Sequence, residues 1–125
     1  MILLVDDNED LMTAYELCLR LKGYDAKSCT SGAQALTFFE KGLKADLILL
    51  DFAMPEMTGE QFVDELRLKH PHVLSDSQVV GMSCYAADYV GVSRFKTLVH
   101  DYVEKPSTIE DFLTIVQRFI KKEEL

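Results

Sequence analysis

Leu47-Ile-Leu-Leu-Asp51-Phe-Ala-Met-Pro-Glu-Met-Thr-Gly59 runs four apolar residues into a single carboxylate, then into a turn marked by Pro55 and closed by Gly59. Leu and Ile at this density cannot sit half in water. The stretch 46–50 therefore reads as a strand buried on both faces, as in a parallel sheet covered by helices. Asp51 is the first residue such a strand can put at its end, where the sheet stops and solvent begins. Open parallel sheets bind their ligands there, outside the carboxyl ends of the strands. The N-terminus has the same grammar, since Ile2-Leu-Leu-Val5 is followed by Asp6 and Asp7. If the two strands are neighbours, three carboxylates converge on one spot.

Working outward, strand and helix signals alternate five times. A strand over 2–5 precedes a helix over 9–22, with Leu11, Tyr15 and Cys18 on one stripe, Ala14 and Leu21 widening it, and Gly23 as its stop. A short strand of mixed character over 25–30 leads into Ser31-Gly-Ala-Gln34, a capping-box pattern opening a helix to about 41, where Gly42 stops it. Its apolar residues are Leu36, Phe38 and Phe39. After the decisive strand comes a third helix over 60–69, with Phe62, Val63 and Leu66 as its core face and His70-Pro71 as its end. Residues 75–77 read as a loop and 78–83 as the fourth strand. The fourth helix, 86–97, is weak, with Gly91 in its middle and Tyr89, Val90, Val92 and Phe95 all poor helix formers. A fifth strand over 100–104 and a fifth helix from a second capping box, Ser107-Thr-Ile-Glu110, to about 122 complete the chain. Ile109, Phe112, Val116, Phe119 and Ile120 form the stripe of that last helix.

Such alternation demands an α/β fold, a doubly wound five-stranded parallel sheet with right-handed crossovers and helices on both faces. The first, third and fourth strands are apolar throughout and belong in the centre; the second and fifth are mixed and belong at the edges. The order 2-1-3-4-5 satisfies both conditions and makes the first and third strands neighbours where the winding reverses. With 125 residues and no repeat, linker or low-complexity tract, residues 1–125 read as one domain.

Composition narrows the function. A net charge of −8 argues against nucleic-acid contact, which needs a basic face to meet phosphate. No apolar run reaches membrane-spanning length, and Met1 leads straight into a strand rather than a signal peptide, so a cytoplasmic setting is expected. Cys18, Cys29 and Cys84 are odd in number and lie in apolar segments without C-x-x-C spacing, which reads as reduced core residues. No Gly-x-Gly-x-x-Gly follows the first strand, so nucleotide or flavin binding is unsupported. His70, His72 and His100 carry no assigned role.

In the expected topology Asp6, Asp7 and Asp51 lie at adjacent strand ends. Two carboxylates about 4 Å apart repel by roughly 4 kcal/mol at an effective dielectric of 20, so a shared proton or a bound cation must offset them. Hard carboxylate oxygens with no His or Cys nearby in sequence suit Mg2+ or Mn2+. The fourth strand ends in Ser83 and the fifth runs into Lys105. A hydroxyl and an ammonium beside a metal-bound carboxylate are what a transferring phosphoryl group needs, and the carboxylate itself can be the nucleophile, giving an acyl phosphate.

Leu3-Leu-Val-Asp-Asp-Asn-Glu9, Leu49-Leu-Asp-Phe-Ala-Met-Pro-Glu-Met-Thr-Gly59, Met82-Ser83 and Tyr102-Val-Glu-Lys-Pro106 together resemble the receiver domain of bacterial two-component response regulators, over the whole length. The resemblance implies a flavodoxin-like receiver fold in which Asp51 is phosphorylated from a histidine kinase. It implies that Asp7, Asp51 and the backbone carbonyl of Ala53 bind Mg2+ directly and that Asp6 holds it through water. Ser83 and Lys105 match the phosphoryl-sensing hydroxyl and ammonium, and Tyr102 the aromatic switch residue. The expected partner is a sensor histidine kinase or phosphotransfer protein. The expected response is a changed surface on the fourth helix, fifth strand and fifth helix, read by an output partner or domain or used for homodimerisation.

Two departures from the family pattern stand out, and one further pair of positions bears on phosphoryl lifetime. Leu98 replaces the usual Gly before the fifth strand, which implies a differently shaped turn. Cys84 replaces the common Ala after Ser83 and is expected to narrow access to the site. Ala53 and Tyr85 occupy positions that tune loss of the phosphoryl group in this family, so Tyr85→Ala is expected to change its lifetime. Two other readings compete with the switch. One is an interaction module that has lost phosphotransfer, against which Asp6, Asp7, Asp51, Ser83 and Lys105 speak. The other is a small-molecule phosphohydrolase, which would want a second Asp where Ala53 stands.

Overall fold

The computed structural model describes residues 1–84 and 90–120. Its elements are β1 (Ile2–Val5), α1 (Glu9–Leu21), β2 (Ala26–Cys29), α2 (Gly32–Glu40), β3 (Leu47–Asp51), α3 (Gly59–Lys69), α4 (Pro71–Asp76), β4 (Gln78–Ser83), a 3-10 turn (Val90–Val92), α5 (Ser93–Leu98), β5 (Asp101–Glu104) and α6 (Ile109–Phe119). All four strand pairings are parallel, in the order β2-β1-β3-β4-β5, as the strand compositions demand.

Alternation along the buried strands divides the core into two layers. Leu3, Val5, Ile48, Leu50 and Val79 face Leu36, Phe39, Phe62, Val63, Leu66 and Phe95. Ile2, Leu4, Leu47, Leu49, Val80 and Met82 face Met12, Tyr15, Leu19, Phe112 and Val116. Each such aliphatic side chain, taken fully out of water, contributes about 1.5–3 kcal/mol before entropy is counted. Gly23 and Gly42 end their helices with φ of 88° and 90°, a conformation that glycine adopts without a Cβ clash.

Several local expectations shift. The buried stripe of α1 is Met12, Tyr15 and Leu19; Leu11 and Cys18 are half-buried, Ala14 is exposed and Leu21 points to solvent. Apolar residues lie almost all round this helix, so its own periodicity could not choose a face. Packing did: Tyr15 stacks on Phe112 of α6, ring centroids 3.7 Å apart. Ile109, expected in the stripe of the last helix, is partly exposed. Residues 71–76 form α4 rather than leading into a loop, with Pro71 in the first turn, where a missing N–H costs nothing, and Val73 buried. Ser77 ends it, and its hydroxyl donates to the buried Ala45 carbonyl at 2.5 Å. The last helix is capped by Thr108, not Ser107, through a bond from the Asp111 amide. Gln34 completes its half of the second helix's cap by accepting from the Thr30 amide rather than that of Ser31.

The expected fourth helix is α5, preceded by the 3-10 turn; the rest of the expected span, together with Tyr85, lies outside the described residues. Leu98 needs no left-handed backbone, because α5 ends there into extended Val99 (φ −109°) while the Leu98 side chain packs on the core. β5 begins at Asp101, and His100 has a structural role after all. Its Nδ1 accepts from the Val79 amide at 2.8 Å and its own amide donates to the Val79 carbonyl at 2.8 Å, which ties β5 to β4. All three cysteines are free; Cys29 is buried and Cys18 half-buried, but Cys84 is exposed, just past the end of β4.

Candidate functional site

The carboxyl ends of β1, β3, β4 and β5 meet at one end of the sheet. The ladder carries on past β1, with the Asp6 amide donating to the Cys29 carbonyl at 3.2 Å, so Asp6 is as rigidly placed as a strand residue. Its side chain is almost wholly buried, and Oδ1 accepts from the Asn8 amide at 3.0 Å. Asn8 then caps α1, its own Oδ1 accepting from the Leu11 amide. Asp7, between them, is exposed. Asp51 is the last residue of β3 and is buried; beyond it, Phe52 donates to the Met82 carbonyl at 2.9 Å, so the chain stays clamped to β4 past the site. Ser83 ends β4, also buried, and Lys105 donates its amide to the Ser83 carbonyl at 2.8 Å.

Asp6, Asp7 and Asp51 each bring a carboxylate oxygen within 4.8 Å of the others. The Lys105 ammonium lies between two of them, 2.9 Å from Asp6 Oδ2 and 3.3 Å from Asp51 Oδ1. The convergence expected from three distant sequence segments therefore exists, with one cation against three acids. The deficit is visible in the titration of Asp51. Burial pushes its carboxyl up, Asp6 and more weakly Asp7 add to that, Lys105 opposes, and the outcome is a value of about 6. Burial pulls Lys105 down but is outweighed by its hydrogen bonds and the charges of Asp6 and Asp51, so it ends raised and stays an ammonium.

One atom remains under-satisfied. Asp6 Oδ2 is fully buried and, among the described residues, meets nothing but the ion-pair contact with Lys105. A buried carboxylate oxygen held by a single ammonium contact has capacity left for a further cation. The donor set fits a hard divalent cation: three carboxylates, no imidazole or thiolate in the cluster, and net negative charge left over. Ala53 lies two residues past Asp51, exposed in the β3–α3 loop.

Tyr102 sits opposite Gly81 in the β4–β5 register, half-buried, with its hydroxyl hydrogen-bonded to Ser83. Burial, the first cause, and nearby Glu104 and Cys84 hold the phenol above its usual range, against the lowering effect of the Ser83 bond. Sequence reading missed two residues here. Asn8 was signalled, as an Asn immediately before a helix; Phe95 was noted only as a poor helix former, and no local pattern marks what it does. A cavity of about 380 Å³ lined by Leu43, Lys44, His72, Val73 and Asp76 opens near the N-terminal ends of β3 and β4, the end of these strands opposite the acids. Among the described residues, no helix is long and apolar enough to cross a membrane.

The chain is similar in sequence and fold to known proteins. A segment of the sensor kinase CckA of Brucella abortus is 28% identical over 98% of this chain, and a segment of the regulatory protein AtoC of Escherichia coli is 29% identical over 96%. The chain spans only 13% and 25% of those two proteins. Among solved structures, the response regulator TrrA of Thermotoga maritima in complex with Mg2+ and BeF superposes with a TM-score of 0.73 at 25% identity, covering 95% of this chain and 97% of that one. Chemotaxis response regulator CheY4 of Vibrio cholerae, at 23% identity, shares the fold with a TM-score of 0.80 over 95% of this chain and 97% of its own. The sequence pattern of the response regulator receiver domain matches residues 2–117, and with its sheet order and its pocket of three acids the chain belongs to that family.

Proposed function

We propose that this domain is a phosphorylation-operated switch whose only chemistry is gaining and losing a phosphoryl group on Asp51. The observation that carries the reading is the buried Asp51 carboxylate, 3.3 Å from the Lys105 ammonium, with two further carboxylates gathered beside it. An oxygen of Asp51 attacks the phosphorus of a phosphohistidine on a sensor kinase or phosphotransfer protein. The P–O bond forms as the P–N bond breaks, and the imidazole leaves with the electron pair and takes up a proton. Lys105 offsets negative charge on the peripheral oxygens, and the Ser83 hydroxyl is placed to donate to one of them.

Asp6, Asp7, Asp51 and the Ala53 carbonyl would hold Mg2+, or Mn2+ in its place. The ion supplies positive charge to a cluster that otherwise opposes the approach of a phosphoryl group. TrrA, the relative with Mg2+ and BeF, supports this reading by likeness. The new charge on Asp51 competes for Ser83 with Tyr102, which already bonds it. Tyr102, α5 and the β5–α6 edge then differ between two states, and an output partner, an attached domain or a second copy of the chain reads the difference. The likeness to CckA, a sensor kinase, and AtoC, a regulatory protein, supports a histidine kinase as the phosphodonor.

Incubation with acetyl phosphate and Mg2+, followed by intact mass, tests the reading. One phosphoryl group should appear on the parent, none on Asp51→Asn, and little on the parent when EDTA replaces Mg2+. An unmodified parent, or equal labelling of Asp51→Asn, would count against it and in favour of a pure interaction module.

A further inference from the structure

One aromatic ring lies between α3, the middle of β4 and Tyr102. Phe95, on α5, is completely buried. Val79 belongs to the core layer that contains Phe95, so Gly81, two residues further along β4, faces the same side. The space a side chain would take at Gly81 is filled by the Phe95 ring. A Cβ built there would lie 2.5 Å from Phe95 Cε2 and 2.8 Å from Cζ. On its other flank, a Cβ at Gly59 would lie 2.9 Å from Phe95 Cε1 and 2.6 Å from the carbonyl oxygen of Asp51. The ring is 5.3 Å from Phe52, the residue after the acceptor, and meets Tyr102 edge-on at 6.4 Å and 87°. Phe95 thus packs against Phe52 just past the acceptor strand, the N-terminus of α3, the middle of β4 and the switch tyrosine.

We propose that Phe95 is a positioning residue for Tyr102. Gly81 offers no side chain beneath Tyr102, so the ring edge of Phe95 is the wall that keeps the phenol turned toward Ser83. The same wall carries a change at Asp51 to Tyr102 and α5, since Phe52 and Tyr102 lean on one ring. This inference deepens the switch reading and rests on it for the second half. If Phe95 were core filling alone, changing it would lower stability and leave the Tyr102–Ser83 bond and its response unaltered.

The test uses the protein labelled with 3-fluorotyrosine, with the Tyr102 resonance assigned by Tyr102→Phe. Three variants are compared with the parent: Phe95→Leu, Gly81→Ala and the pair. The pair exchanges a smaller residue at one site for a larger one at the other, so it conserves volume. In the resting protein both single variants should move the Tyr102 resonance toward that of free tyrosine, and the pair should bring it back. With Mg2+ and beryllofluoride as phosphoryl mimic, each single variant should keep less than about half of the parent's Tyr102 shift and the pair should recover more than half, a non-additivity expected only of residues in contact. Asp51 labelling by acetyl phosphate should proceed in all four. Resting and beryllofluoride signals in Phe95→Leu that match the parent, or a pair no better than either single variant, would overturn the proposal. If a single variant does not fold, the pair alone decides. A parent that acetyl phosphate leaves unlabelled counts against the switch reading, while the resting resonances still judge the placement of Tyr102.

Discussion

The two halves of the site are held by opposite means. At the β1–β3 corner, three carboxylates crowd around one ammonium, and the fold tolerates a buried acid with a carboxyl near 6 and an oxygen left short of donors. At the β4–β5 corner the described contacts are of another kind: Tyr102 is hydrogen-bonded to Ser83 and packs edge-on against Phe95. The first corner carries more negative than positive charge, which on the proposed reading is what ions and phosphate act on. The second is held by packing and hydrogen bonding, and on the same reading it follows a change at the first. The two corners thus differ in the physics of their contacts, although they lie at the same end of the sheet.

The sharpest way to break this contrast is to remove the strained charge. Asp51→Asn should abolish phosphoryl incorporation and yet raise the metal-free melting free energy at neutral pH by up to about 3 kcal/mol, the cost of a carboxyl moved by roughly two pH units. The sign follows from linkage. The folded carboxyl binds its proton more tightly than the unfolded one, so the native state loses stability as pH rises through about 6. The gain in the variant should therefore be full above that pH and vanish below about 4; a stability difference independent of pH in thermal melts would contradict it. Next in size, Lys105→Met leaves Asp6 and Asp51 without their cation and should cost roughly 1–3 kcal/mol in metal-free melts, with tighter Mg2+ binding by titration.

At the packed corner the effects should be smaller and blind to Mg2+. Ser83→Ala should lower stability by about 1 kcal/mol through the lost bond to Tyr102, with Mg2+ affinity unchanged by calorimetry. An equal change in Mg2+ affinity would show that the corners are not separate. Between the corners, Glu56 holds a left-handed backbone (φ 67°), and Glu56→Gly should stabilise the fold by about 0.5–1 kcal/mol in denaturant titration. The smallest effect is expected at Arg94, which pairs with Glu60 and Asp64 of α3 on the exposed surface. Arg94→Ala should shift melting slightly, and the shift should fade with added salt.

These corners were unequally legible in the sequence. Charge at strand ends can be read because a fully buried strand is an unbroken apolar run, and whatever polar residue follows it must stand at the sheet's edge. Asp6, Asp7, Asp51 and Ser83 follow from that rule, whereas Lys105 follows a mixed, half-buried edge strand and is reached only through the alternation of elements. Packing between distant segments leaves no such mark. Phe95 and Gly81 belong to different elements, and each alone looks like a poor residue in its own; only together do they make one filled volume. The face of α1 was hidden for a related reason, since Tyr15 takes its orientation from Phe112, nearly a chain length away. α4 escaped because six residues with Val73 as the buried anchor are too few to show a period. The Thr58–Gln61 capping box that opens α3 was present in the sequence and went unread beside the more conspicuous Gly59.

The three thiols supply a ready handle. Cys29 is sealed in the core, and burial pushes its thiol up to about 12, so it stays protonated and out of reach of alkylating reagents. Cys84 is open to solvent one residue past Ser83. A maleimide dye should therefore settle on Cys84 at the rim of the pocket ahead of half-buried Cys18, and in a Cys18→Ser chain it gives an optical reporter of the pocket's occupancy.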